Sequence, residues 1–105
     1  MAKVKIKVVK MLSSREVFDG NPPAEFNCSP KCDEYEIEEG REFIVDDSYE
    51  CPSGFCPWAY ADIQRDIVTL LHGGNFPWMK KEGELLSCCT DGIRPVIFFL
   101  ERIED

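Results

Sequence analysis

The sequence predicts an α+β domain, a small antiparallel or mixed sheet of about four strands with one main helix packed on a face. Three observations predict it. Lys alternates with Val and Ile from Lys3 to Val8, apolar residues recur at three and four positions from Ala59 to Leu71, and Val96 to Leu100 is a continuous apolar run. At 105 residues the chain suits one domain, 1–105, and is too short for two independent cores.

In order along the chain, Lys3 to Lys10 puts Val4, Ile6 and Val8 on one face and Lys3, Lys5 and Lys7 on the other, as in a half-buried strand. From about Ser13 to Lys31 the sequence carries Gly20, Asn21, Pro22, Pro23 and Pro30 with little periodicity, which predicts a long irregular excursion. Tyr35 to Glu38, a turn at Glu39 and Gly40, and Glu42 to Val45 then predict a short strand pair, or a single strand after a tight turn. A Pro and Gly loop, Cys51 to Phe55, leads into the main helix. Pro57 suits its first position, Ala59, Ile63, Ile67, Leu70 and Leu71 should face the sheet, and Gly73 and Gly74 stop it. His72 falls in the last turn, where the helix dipole favours a cation. Leu85 to Thr90 and Arg94 to Ile103 bracket Asp91 and Gly92, a turn dipeptide that predicts a hairpin. The apolar run in the second arm predicts a central strand covered on both faces.

Composition narrows the functional classes. Twenty acidic against twelve basic residues give a net charge of −8, which repels phosphate backbones and argues against a nucleic-acid partner. No apolar run is long enough to cross a bilayer, so no membrane partner is expected. The amino end lacks the uninterrupted apolar stretch of a secretory signal, which predicts a cytoplasmic protein. The six cysteines are then expected as thiols that bind metal, do redox chemistry or pack, rather than as a disulfide framework. Ser/His/Asp arrangements, phosphate-cradling glycine loops and spaced acid pairs do not stand out.

Cys56 directly precedes Pro57 and therefore sits at or beside the helix N-cap. Unpaired backbone N–H groups and the positive end of the dipole favour a thiolate there, a nucleophile or metal ligand; the plainer alternative is a small buried hydrophobe. Three residues separate Cys28 from Cys32 and four separate Cys51 from Cys56, spacings that would let paired thiolates share a tetrahedral ion. Cys88 and Cys89 are adjacent on a predicted strand, so only one of them can enter a given site. Trp58, Phe76, Trp78 and Met79 either line a ligand pocket near Cys56 or cap the core. Arg94 either binds an anionic ligand or pairs with a carboxylate.

Several blocks recur together: Val4-Lys5-Ile6-Lys7-Val8, Gly40 with Phe43, Gly54-Phe55-Cys56-Pro57-Trp58-Ala59, Gly73-Gly74 with Pro77-Trp78, Cys89-Thr90-Asp91-Gly92-Ile93-Arg94-Pro95-Val96-Ile97-Phe98, and Glu101-Arg102-Ile103. They resemble an uncharacterised family of short bacterial and archaeal proteins across nearly the whole chain. The resemblance implies a grouping and no activity. It implies that Cys32, Cys56 and Cys89 fit the family pattern, with Cys28, Cys51 and Cys88 as additions. Many members carry a Gly-His pair before the glycine matched by Gly40; this chain has Glu36, Glu38 and Glu39 there instead.

Three functions follow as expectations. The first is a small metal-binding protein in which Cys32, Cys56 and Cys89 converge on zinc or iron, with Cys28, Cys88 or solvent in a fourth position. The second is a thiol redox or nucleophilic enzyme using Cys56. The third is a binding or accessory module whose cysteines only pack.

Overall fold

The computed structural model describes residues 2–21, 35–92 and 94–104. Its elements are β1 (Ala2–Met11), α1 (Ser14–Val17), β2 (Glu42–Val45), α2 (Pro57–Leu71), β3 (Glu84–Cys88) and β4 (Val96–Glu104). The strands form one sheet in the order β2-β1-β4-β3, with every pair antiparallel. The predicted α+β arrangement is therefore present, with an open four-stranded sheet and one main helix.

Alternation in β1 decides which face becomes the core. Val4, Ile6 and Val8 are fully buried and point toward α2, whereas Lys5 points away and pairs with Glu42 at 3.7 Å and Glu101 at 3.3 Å. Such partly exposed pairs add little stability and chiefly keep that face wet. Register shifts between Val8 and Lys10, which takes Val9 out of the pairing with β4. The chain ahead of β2 enters through a turn at Gly40, whose φ of 89° suits glycine, and Gly40 N–H donates to the Val8 carbonyl at 2.7 Å. Of the two forms predicted here, the single strand after a tight turn is the one found.

Helix α2 starts at Pro57 and ends at Leu71, with Cys56 as N-cap and His72 as C-cap. Ile63, Ile67 and Leu70 are fully buried against Val4, Ile6, Phe98 and Leu100 in one core cluster. Gly73, at φ 86°, closes the helix by donating to the Leu70 carbonyl at 3.1 Å. Strand β4 is central, as its apolar run predicts, but its two faces differ. Val96, Phe98 and Leu100 are buried beneath α2, while Ile97 and Phe99 on the other face are only half-buried.

A short helix was not expected in the first excursion. Ser13 Oγ accepts from the Glu16 N–H at 3.2 Å, and Glu16 Oε1 accepts from the Ser13 N–H at 3.1 Å, a capping box that supports α1. Residues 22–34, which hold the remainder of that excursion with Cys28 and, just after it, Cys32, lie outside the described residues.

Candidate functional site at the start of α2

The segment that delivers Cys56 is built around Phe55. Its ring is 2% exposed and meets Phe43 edge-on at 5.0 Å, Phe98 at 5.3 Å and Tyr60 at 6.4 Å between ring centroids. One side chain thereby joins β2, β4 and α2. The preceding turn is closed by the Phe55 N–H on the Pro52 carbonyl at 3.1 Å. Gly54 takes φ 83°, and a Cβ there would run into the Glu36 carboxylate, so both conformation and space favour glycine. Its carbonyl accepts the Glu36 N–H at 2.8 Å, which ties the turn to the chain ahead of β2.

Cys56 is 7% exposed and caps α2 with its backbone in the extended region; its side chain makes no capping hydrogen bond. The sulfur thus stands beside the positive end of a fifteen-residue helix without being consumed by the cap. Cys51 is half-buried over the same turn, its Sγ 3.6 Å from the Phe55 carbonyl oxygen and 3.7 Å from that of Pro52. Burial, and secondarily the charge of the neighbouring Cys56, push the Cys51 thiol above its ordinary value of 9.0, so it rests protonated at neutral pH.

The end of β3 comes to the same region. Cys89 is 8% exposed, on the same side of the sheet as Leu85, whereas Cys88 is exposed on the opposite side with Leu86. Alternation therefore sorts the adjacent pair, and Cys89 is the one on the helix side. The Val96 N–H donates to Cys89 Sγ at 3.3 Å, and the Cys89 N–H donates to the Val96 carbonyl at 3.1 Å. None of the four described cysteines is in a disulfide.

Two aspartates on α2 hold this strand end in place. Asp62 accepts from the Thr90 N–H at 2.7 Å and from the Thr90 hydroxyl at 3.0 Å, while Thr90 Oγ1 accepts the Trp58 indole N–H at 3.1 Å. Asp66 accepts from the Ser87 hydroxyl at 3.1 Å. These are the site's positioning residues that sequence reading missed. The available signal was their spacing: Asp62 and Asp66 are four apart and so share one helix face.

The remaining candidates fall elsewhere. Cys32 and Cys28 lie outside the described residues. Among the described residues no three His, Cys, Asp or Glu side chains are grouped to hold a metal ion. Arg94 is paired within its own turn, its Nη2 3.2 Å from Asp91 Oδ2. His72 bonds through Nε2 to the Tyr49 hydroxyl at 2.7 Å, so it has a hydrogen-bond partner as well as its place at the helix end. Phe76 and Met79 pack on the core and, with Asn75, Pro77 and Lys80–Glu82, line an open groove of about 310 Å³. That groove follows the C-terminal end of α2, so a helix length of about 22 Å separates its start from Cys56. Trp58 and Trp78 are 67% and 70% exposed.

No family model, curated protein or solved structure matches this chain. No helix among the described residues is long and apolar enough to cross a membrane.

Proposed function

We propose that the protein is a small cysteine-based metal-binding protein of a reducing cytoplasm, in which Cys32, Cys56 and Cys89 hold zinc or iron as thiolates. The observation that carries this reading is the Val96 N–H aimed at Cys89 Sγ at 3.3 Å. A backbone donor of this kind orients a ligating sulfur and shares its negative charge, as in structural zinc and iron–sulfur sites. The helix N-terminus supplies the corresponding support at Cys56. The third sulfur is assigned to Cys32 because the family resemblance picks out the same three positions. Cys88 faces away, so a fourth position falls to Cys28 or solvent.

Metal content decides between this reading and cysteines that only pack. Full-length protein purified without oxygen is expected to carry about one equivalent of zinc or iron by elemental mass spectrometry. Cys32→Ser, Cys56→Ser and Cys89→Ser should each lose it, and Cys51→Ser and Cys88→Ser should keep it. Folded wild-type protein free of metal overturns the proposal.

A further inference from the structure

The metal set leaves Cys51 without a role, yet among the described residues this thiol lies over the turn that leads into Cys56 and feels its charge. Cys51 Sγ lies 3.6 Å from the Phe55 carbonyl oxygen. A planar trans peptide fixes that oxygen about 2.8 Å from the next Cα, so Cys51 Sγ stands no more than about 6.4 Å from Cys56 Cα. The sulfur therefore stands beside the peptide that leads into Cys56, near enough for the Cys56 charge to act on it, and rotation of the two side chains has to close the S–S separation to about 2.0 Å. The intervening turn is already closed by the Phe55 N–H on Pro52, so little chain entropy opposes the bond.

We propose that Cys51 and Cys56 form a reversible dithiol–disulfide couple that exchanges with low-molecular-weight disulfides. The inference does not rest on metal binding: it shares Cys56 with that reading but needs neither Cys32 nor Cys89. Exposure sets the order of events. Cys56 is buried and Cys51 half-exposed, so a small disulfide RSSR meets Cys51 first. Cys51, protonated at rest, attacks through its small deprotonated fraction one sulfur of RSSR, forming a mixed disulfide and expelling RS⁻, which takes up the proton Cys51 released. The Cys56 thiolate then attacks Cys51 Sγ and expels the second RS⁻, which takes up the proton of Cys56. Two thiols are oxidised to one disulfide, and RSSR is reduced to two RSH. In the reverse direction an external thiolate attacks Cys51 Sγ, and Cys56 leaves as a thiolate at the positive end of α2.

Trypsin gives a direct readout, because Glu42 to Arg65 contains no internal Lys or Arg and holds Cys51 and Cys56 as its only cysteines. Full-length Cys32→Ser protein, which lacks one sulfur of the proposed metal set, is equilibrated with oxidised glutathione and its free thiols are then alkylated. The expected result is a Glu42–Arg65 peptide lighter than the reduced one by two hydrogens and carrying no alkyl group. With Cys56→Ser added, the peptide should instead carry one glutathione on Cys51. With Cys51→Ser added, Cys56 should remain alkylatable. A peptide that keeps both thiols in Cys32→Ser, or is cross-linked to another cysteine peptide, overturns the proposal. Metal content of the wild-type protein, measured separately, tests the other reading.

Discussion

Phe55→Ala should be among the most destabilising single substitutions in the chain, lowering stability by about 3–5 kcal/mol. The ring is 2% exposed and touches aromatic rings from β2, α2 and β4, so truncation opens a cavity that three elements would have to move together to fill. At about 4 °C per kcal/mol for a domain of this size, Tm should fall by about 12–20 °C. Phe55→Leu keeps much of the volume and should cost markedly less. The effect reaches the site, because the Phe55 carbonyl accepts the Cys51 thiol and its peptide bond leads directly into Cys56. A fall of only a few degrees in Phe55→Ala would mean that the aromatic cluster does not anchor this turn.

Arg102→Ala is expected to cost about 3 kcal/mol. The guanidinium donates to the Leu70 carbonyl at 3.1 Å, the Gly74 carbonyl at 2.7 Å and Asn75 Oδ1 at 2.8 Å. Two of these acceptors lie at the C-terminal end of α2, where unpaired carbonyls gather and the dipole is negative. Asn75 Oδ1 also accepts the Gly83 N–H at 2.8 Å, and the Arg102 N–H donates to the Gly83 carbonyl at 2.7 Å, so one residue joins the helix end to the start of β3. Arg102→Lys keeps the charge but not the planar fork and should recover only part of the loss. Urea unfolding should show a lower midpoint at unchanged slope in both variants. An Arg102→Ala midpoint equal to wild type would contradict the assignment.

How far the sequence reveals this molecule depends on whether a signal is local. The period-two run of β1 and the Pro57 to Leu71 helix are local patterns, and both stand where the residues predict, with Ile63 and Ile67 fully buried. The Ser13 and Glu16 capping box was equally local and passed unnoticed, because the surrounding Gly and Pro residues argued for irregular chain. Coverage of β4 depends on neighbours. Its apolar run predicted two covered faces, whereas α2 covers one and leaves Ile97 and Phe99 half-buried. For the site, helix start and strand alternation were enough to put Cys56 at the N-cap and leave one of Cys88 and Cys89 facing α2. The turn that brings Cys51 toward Cys56 needs the positive φ of Gly54, and the Asp62–Thr90 tether joins residues 28 positions apart. Neither follows from spacing alone.

The central claim is that Cys56 is one of three sulfurs sharing a single ion, and X-ray absorption at the zinc or iron edge addresses it most directly. For full-length protein purified without oxygen, the account predicts a first shell with at least three sulfur neighbours at about 2.3 Å, the fourth position being Cys28 or solvent. A first shell of oxygen and nitrogen alone, or no metal edge at all, would contradict it.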